Sequence, residues 1–390
     1  MKECGPRLVI SMKVAMVDPS AFTPPYDHHL CAGLAETGCE LTLFTTDSDY
    51  FLWDGDTSYR RLAYFYSHTN DLYSGRDVSF GRTVVKGTEH IVDMSLFVRK
   101  IRAMDPDVVH FQWLPLPIVD RLFLQALRRV APLVLTVHDT TPFRGASTSP
   151  IQLLGAESVY ELFDQLIVHT PMSQDELVAQ NIRSRDISII PHGILQYPPQ
   201  PSETEDTDTS TILFFGTIKP YKNIETLLEA YAELPADIRE TVELHIAGSP
   251  KMDVRPLRER ATALGVQPSV HWDLRFVPDA EVPGLFSDAD LIVFPYDDID
   301  QSGALLTALQ YETPIVATDI AGFASVLTDG KHGYLVPPKN SEELSDAMNR
   351  ILSDTELAAR MSENIGDLVE SIPSWVDIAR RTCEVYRSVV

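Results

Sequence analysis

Residues 291–319 read LIVFPYDDIDQSGALLTALQYETPIVATD. The runs at 291–294 and 314–317 are short, apolar and marked by proline, the pattern of strands buried on both faces of a parallel sheet. The stretch between them is then a crossover. Ser302 and Gly303 precede Ala304, Leu305, Leu306, Ala308 and Leu309, whose spacing suits a helix laid on that sheet with Ser302 as its N-cap. Unsatisfied amides at such a helix start attract negative charge, and Gly303 lets a phosphate approach the backbone. Taken alone, the pair is equally an ordinary capped crossover helix.

A second element tips that balance. Residues 212–223 read ILFFGTIKPYKN and run into IETLLEAYAEL: a buried strand, a loop punctuated by glycine and proline, and an amphipathic helix. From residue 196 onward there are five lysines, at 219, 222, 251, 331 and 339. Two of them share this loop, at the carboxyl end of a strand, where open α/β sheets bind ligands. Phosphate binding is favoured over a solvated loop, each charge-assisted contact contributing about 1.5–3 kcal/mol.

With 390 residues, 44% of them hydrophobic, the chain can bury two ordinary domain cores. Its apolar runs fall short of the roughly 18 residues that span a bilayer, and residues 1–16 lack a signal peptide's apolar core, so a cytoplasmic protein is expected. Met12, just before a strand-like run, is read as an alternative start. Cys4, Cys31, Cys39 and Cys383 have no metal-ligand spacing and fit reduced thiols. The net charge of −24 is uneven: residues 1–195 carry 17 basic and 23 acidic side chains, and 196–390 carry 15 and 33. No basic surface of the extent nucleic acid needs is expected. Nine lysines against 23 arginines and a pI near 4.7 suggest a high-salt cytoplasm.

Strand-like runs at 14–17, 39–45, 108–111, 133–137, 166–169 and 187–190 alternate with helical stretches at 29–36, 91–104 and 121–130. After a polar bridge, QYPPQPSETEDTDTST, strands recur at 212–215, 242–247, 270–274, 291–294 and 315–317. The fold class expected is α/β: two Rossmann-like domains, 1–195 and 196–372, facing one another across a cleft. Residues 341–390 read as helical with a break at Pro373, and 373–390 as a helix crossing back to the first domain.

FFGTIKPYKN, LHIAGSP at 244–250, ADLIVFPY at 289–296 and TPIVATDIAGFASVL followed by GKHGYLVPP together resemble the retaining glycosyltransferases of family four, as do TVHDTTPF at 136–143 and IIPHGI at 189–194. The resemblance covers nearly the whole chain. It implies a GT-B fold and hexosyl transfer from a nucleotide sugar of the UDP or GDP type to a glycan or lipid-linked hydroxyl, with no cofactor and no metal. It also implies roles. Lys219 and Lys222 would hold the donor diphosphate, Gly216 would let their loop pass close, and Ser302 and Gly303 would add amides. Arg275, Phe276 and Val277 would receive the base, with Gly322 beside the ribose. His138 and Asp139 would meet the transferred sugar, while Tyr26 and Asp27 would sit in the loop after the first strand, with His28 opening the next helix. His110, His169 and His192 are read as structural.

The family's two glutamates, with seven residues between them, are here Ile299 and Thr307, a departure shared by relatives reading QSG. Asp298 or Asp300 is the expected substitute for the sugar contact, and Asp297, Asp298 and Asp300 are the one carboxylate group open to a cation. Residues 47–89 are rich in aromatics, with Arg60 and Arg61 among them, and read either as an acceptor-binding region or as an excursion with its own core. The milder acidity of the first domain permits contact with an anionic membrane. A nucleotide-sugar epimerase of the same fold, or a silent nucleotide-sugar-binding subunit, are the competing readings.

Overall fold

The computed structural model describes residues 11–47, 58–73, 80–140, 159–197 and 209–390. The aromatic residues Tyr50, Phe51 and Trp53, the end of TVHDTTPF, Cys4 and the bridge from 198 to 208 lie outside the described residues. The chain forms two compact units. One takes it to Gly193 and again from Pro373 to Val390, and the other takes Ile194–Ile372.

The first unit begins with β1 (Lys13–Asp18), α1 (Pro24–Glu36), β2 (Glu40–Thr46), β3 (Arg60–Phe65), α2 (Ser67–Tyr73) and α3 (Phe80–Met104). It continues with β4 (Val108–Phe111), α4 (Pro117–Leu127), β5 (Leu133–Thr136), β6 (Gln165–Val168), α5 (Pro171–Ala179) and β7 (Ile187–Ile189). All seven strands are parallel, in the order β3-β2-β1-β4-β5-β6-β7. Each central strand is buried along its length because helices cover both faces, which is why it reads as an unbroken apolar run.

The second unit repeats the plan. It runs β8 (Ser210–Phe215), α6 (Ile224–Glu233), α7 (Ala236–Arg239), β9 (Val242–Ala247), α8 (Arg255–Ala263), β10 (Val270–Asp273), α9 (Val282–Ser287) and β11 (Leu291–Phe294). It closes with α10 (Gly303–Ala308), β12 (Ile315–Thr318), α11 (Ala321–Ala324), β13 (Gly333–Val336), α12 (Ser341–Ser353) and α13 (Thr355–Ser371). Its parallel sheet has the order β10-β9-β8-β11-β12-β13. The strand order turns between β1 and β4 in the first sheet and between β8 and β11 in the second. Those two points, at the carboxyl ends of the strands, are where crevices open for ligands.

The last helix, α14 (Trp375–Val389), belongs to the first unit, where it packs along α1. Gly33 permits the approach: a Cβ there would lie 2.6 Å from the Trp375 carbonyl oxygen. Cys39 and Cys383 come together at the same seam, sulfur to sulfur 3.5 Å, as free thiols.

Four expectations need correcting. Helix α1 begins at Pro24, so Tyr26 and Asp27 stand in its first turn and His28 inside it. Prolines at the first helical positions lose no hydrogen bond, and their fixed φ already suits a helix. Strand β3 lies in the region read as an aromatic excursion, and β13, GYLV, was not read as a strand at all. Residues 341–390 break at Asp354 as well as at Pro373, because the extended Asp354 caps α13 through the Leu357 amide.

In an exposed helix Gly→Ala would gain about 1 kcal/mol from propensity alone. At Gly33 we expect the opposite sign: Gly33→Ala should lose roughly 1–3 kcal/mol in urea unfolding, because the methyl meets backbone.

Candidate functional site

In the second unit the residues singled out by sequence gather at the turn of strand order. Strand β8 ends in Gly216, whose φ of +123° only glycine adopts without strain. The chain then forms a single tight turn over Pro220–Lys222 and reaches Asn223, left-handed at φ 49°, whose side chain caps α6 by accepting from the Thr226 amide. This turn is fastened to the end of β11. The Asp297 amide donates to the Tyr221 carbonyl at 2.7 Å, and the Asn223 side-chain amide donates to Asp297 Oδ1 at 3.0 Å. Lys339 Nζ stands 3.6 Å from the other Asp297 oxygen.

The consequence is that Lys222 points inward. It is only 7% exposed, and Nζ donates to the Tyr296 hydroxyl at 2.9 Å while lying 4.7 Å from the centre of that ring. A Cβ on Gly216 would come within 2.7 Å of the same nitrogen. The Ser302 side chain stands near the Tyr296 hydroxyl, and Ser302 caps α10 by accepting from the Leu305 amide at 3.2 Å. Ala304 Cβ is 3.9 Å from where a Gly216 Cβ would stand. Gly216, Lys222, Tyr296, Ser302 and the opening of α10 thus form one cluster. Helix α10 has only six residues, so its contribution is local N–H groups rather than a long helix dipole.

Burial, and then the charge of nearby Lys219, lower the Lys222 pKa from its ordinary 10.5 to about 7. Lys219 is less buried and lies 5.8 Å from the Tyr221 ring. A buried ammonium facing one hydroxyl, two aromatic rings and an open glycine backbone is a site that an anion would complete.

The other expected residues are placed less simply. Arg275 follows β10, but its guanidinium is engaged by Asp273, with Nε 2.7 Å from Oδ1, and by Glu281. Those carboxylates raise its pKa, Glu281 first. Phe276 is exposed and Val277 buried. Asp300 is buried beside the loop after β11, and Gly322 lets that loop approach α11, since a Cβ there would stand 2.2 Å from the Ile299 carbonyl oxygen. Thr307 is buried in α10, with the Tyr197 side chain near it.

In the first unit the corresponding point collects imidazoles. His138, just past β5, stacks on Trp113 with ring centres 5.2 Å apart, and Tyr26 presents its edge at 4.7 Å. Trp113 donates to Thr23 Oγ1 at 3.2 Å, joining the loop after β4 to the loop after β1. The Ile190 carbonyl, 3.0 Å from His169 Nδ1, fixes that proton. Gln112 Oε1, 3.0 Å from His138 Nε2, can only accept, so the neutral His138 ring carries its proton on Nε2 and leaves Nδ1 bare, 3.3 Å from His169 Nε2. Burial keeps these rings neutral: the His138 pKa falls well below 6.5, with His169 near 4 and His192 near 3. A cavity of about 40 Å³ opens beside His138 and Asp139, lined also by Trp113, Thr136 and Tyr160.

Asp27, expected as a ligand contact, is paired instead with buried Asp18. Asp18 accepts from the Phe22 amide at 2.7 Å and from those of Ser20 and Thr23. Burial and that neighbouring charge raise the Asp27 pKa well above the usual carboxylate range. Tyr296, Asn223 and Trp113 were not singled out by sequence, and Asp297 was read only as one of three carboxylates open to a cation. Tyr296 stood in a quoted motif, yet nothing local shows a hydroxyl reaching a lysine 74 residues away.

Removing the Tyr296 hydroxyl strips Lys222 of its acceptor. Because the folded pKa is depressed, the unfolded chain binds the extra proton between about pH 7 and 10.5; this group's contribution to stability therefore rises through that window and is lowest below pH 7. Tyr296→Phe should lose about 1–3 kcal/mol at pH 6 and distinctly less at pH 9, read by denaturant unfolding. Equal losses would remove the ammonium from the account.

Two family models match almost back to back: Glycosyltransferase Family 4 over residues 26–194 and Glycosyl transferases group 1 over residues 200–367. Among curated relatives, an α-D-kanosaminyltransferase of Streptomyces kanamyceticus is 30% identical over 190 residues, 47% of this chain and 46% of that protein. A D-inositol 3-phosphate glycosyltransferase of a Nocardioides strain is 27% identical over 289 residues, 66% of this chain and 62% of that protein. The chain thus spans about half to two thirds of the length of these relatives. Among solved structures, Anabaena HepE in complex with UDP and glucose superposes with a TM-score of 0.73 at 18% identity, covering 97% of this chain and all of that one. At that identity the likeness is one of fold.

Proposed function

Since the chain belongs to the family 4 glycosyltransferases of the GT-B fold, we propose that it moves a hexose from a nucleoside diphosphate sugar to a hydroxyl of a glycan or lipid-linked acceptor, with retention of configuration. The observation that carries the reading is the buried Lys222 ammonium held on Tyr296 beside Gly216 and the start of α10. HepE, of the same fold, is described with UDP and glucose, which supports a nucleotide-sugar donor of the UDP type.

In this mechanism the donor diphosphate enters over Gly216, where no side chain bars its approach. Lys222 and Lys219 meet its oxygens, and the free N–H groups at Gly303 and Ala304 add neutral donors. As the glycosidic C–O bond lengthens, charge grows on the leaving phosphate while the sugar becomes oxocarbenium-like. The fixed donors favour that charge over the less charged ground state, and catalysis is largely positioning and electrostatics. The acceptor hydroxyl attacks the face the phosphate is leaving and passes its proton to the departing oxygen. His138, neutral and held by Gln112 and the Trp113 ring, is the proposed contact of the sugar in the first unit. Neither Ile299 nor buried Thr307 offers the family's carboxylate, so Asp300 is the proposed sugar contact.

A lysine with pKa near 7 must take up a proton when a dianionic ligand arrives. Calorimetry of UDP binding at pH 8, in buffers of different ionisation enthalpy, should show net proton uptake and an affinity that falls as pH rises above 7. Lys222→Met keeps the apolar stem and removes the charge. Its kcat/KM should drop roughly 10²–10³-fold with no loss of thermal stability, and proton uptake should vanish. Wild-type turnover by that variant would reject the assignment, and conversion of the donor without any acceptor would favour an epimerase.

A further inference from the structure

Two of the chain's four cysteines meet at one point of the first unit, although 344 positions separate them in sequence. Cys39 takes its place from the end of α1. The Gly38 amide, in a left-handed residue at φ +93°, donates to the Ala35 carbonyl at 2.9 Å, and the Cys39 amide donates to the Leu34 carbonyl at 3.1 Å. This is a Schellman ending, which fixes the backbone of Cys39 before β2 begins. Cys383 takes its place from α14, which Gly33 lets close on α1. The two sulfurs are in van der Waals contact at 3.5 Å.

A pair kept only to fill the seam would sit among carbon. Here Thr37 Oγ1 lies 3.3 Å from the Cys383 sulfur and 3.8 Å from that of Cys39, and Arg387 follows Cys383 by one turn of α14. The Cys39 hydrogen bond first, then Thr37 and Arg387, lower the Cys383 pKa to about 6 against the opposing effect of burial. The pair therefore holds the thiolate that oxidation requires. Cys39 is half-buried, open enough for a small oxidant, whereas Cys31 is fully buried in α1.

We propose that Cys39 and Cys383 are a reversible oxidation site, closing to a disulfide that fastens α14 to the junction of α1 and β2. A disulfide holds its sulfurs about 2.05 Å apart, so these two must approach by roughly 1.5 Å, a side-chain movement. With a peroxide as oxidant, one sulfur takes an oxygen atom as the O–O bond breaks, becoming a sulfenic acid while water leaves. The other sulfur attacks it, the S–S bond forms, and the hydroxyl departs with the attacking thiol's proton as a second water. The sulfurs give up two electrons between them and the peroxide accepts both. A dithiol reductant returns the pair to thiols, the behaviour of disulfides that form transiently in a reducing compartment. Helix α14 carries Trp375, stacked on His29 at 5.3 Å and edge-on to Tyr26 at 5.2 Å, and Tyr386, whose hydroxyl is 2.7 Å from His110 Nδ1. Fastening the helix thus steadies the aromatic residues packed behind His138. The proposal stands apart from the transferase reading.

The test starts from the full chain reduced with dithiothreitol, desalted and exposed to hydrogen peroxide. It should lose two of its four titratable thiols, and peptide mass spectrometry should find the Cys39 and Cys383 peptides joined, two hydrogens lighter than their sum. Closing so long a loop in the unfolded ensemble should raise the melting temperature by roughly 5–10 °C, and dithiothreitol should reverse the rise. Cys39→Ser, at a half-buried position, should keep the circular dichroism and melting temperature of the reduced wild type, and peroxide should no longer raise the latter. A link to Cys4 or Cys31, a cross-linked dimer, thiols that survive peroxide, sulfinate at Cys39, or a joined protein that melts no higher would each overturn the proposal.

Discussion

An ammonium taken out of water has to be met by a hydroxyl, a ring face or an anion, and the second unit is organised around that requirement at Lys222. The Tyr296 hydroxyl and two aromatic rings supply part of what water would. The position is imposed from outside the lysine itself: Asp297 ties its turn to the end of β11, and Gly216 leaves room for the nitrogen against the backbone. Gly248 completes the arrangement, since a Cβ there would stand 2.0 Å from the Gly216 carbonyl oxygen. Two neighbouring strands must therefore both end in glycine with positive φ for the loop to lie where it does.

Both units place polar chemistry at the same topological point and fill it differently. The second offers a cation. The first offers neutral imidazoles and a tryptophan face, because burial there opposes charge on the rings. Such a surface has hydrogen-bond donors and acceptors without net charge, which suits hydroxyl-rich ligands. The buried Asp18 carboxyl accepts from three loop amides, so it serves the loop rather than a ligand.

The parts of the fold legible in the sequence were those fixed by local pattern. Strands covered on both faces, such as β8, β9 and β11, read as apolar runs, and Ser302 was recognisable as an N-cap because the helix signal follows it at once. Strand β3 was hidden because it lies at an edge of the sheet and is only partly buried, so it opens on two arginines and carries no long apolar run. Strand β13 is four residues long and starts at Gly333, where a Cβ would stand 1.7 Å from the Ile315 carbonyl oxygen. The Pro-Pro pair before Tyr26 was taken for loop chemistry when it served as a helix start. In the site, Gly216, Lys222 and Ser302 were legible and Tyr296 was not, because a pairing across two strands and 74 residues leaves no local trace. Arg275 shows the converse: its place was legible, but its engagement by Asp273 and Glu281 depends on side-chain geometry.

A depressed lysine pKa might be thought a poor choice for holding a phosphate, since near neutrality the empty site is charged only part of the time. The physics points the other way. A fully charged, buried and unpaired ammonium would burden the folded state whenever no ligand is bound, and here Lys219 adds like-charge repulsion. Letting the proton leave removes that burden, while in the proposed role an arriving dianion would raise the pKa again and recover the charge where it is used. The ionisation of Lys222 is then coupled to occupancy, and the Tyr296 hydroxyl is what makes the coupling workable: it can accept from the ammonium and can equally donate to the neutral amine. A serine at that position would be too short to bridge from β11 to the β8 loop, whereas the tyrosine ring spans the gap and closes the floor of the site with apolar carbon.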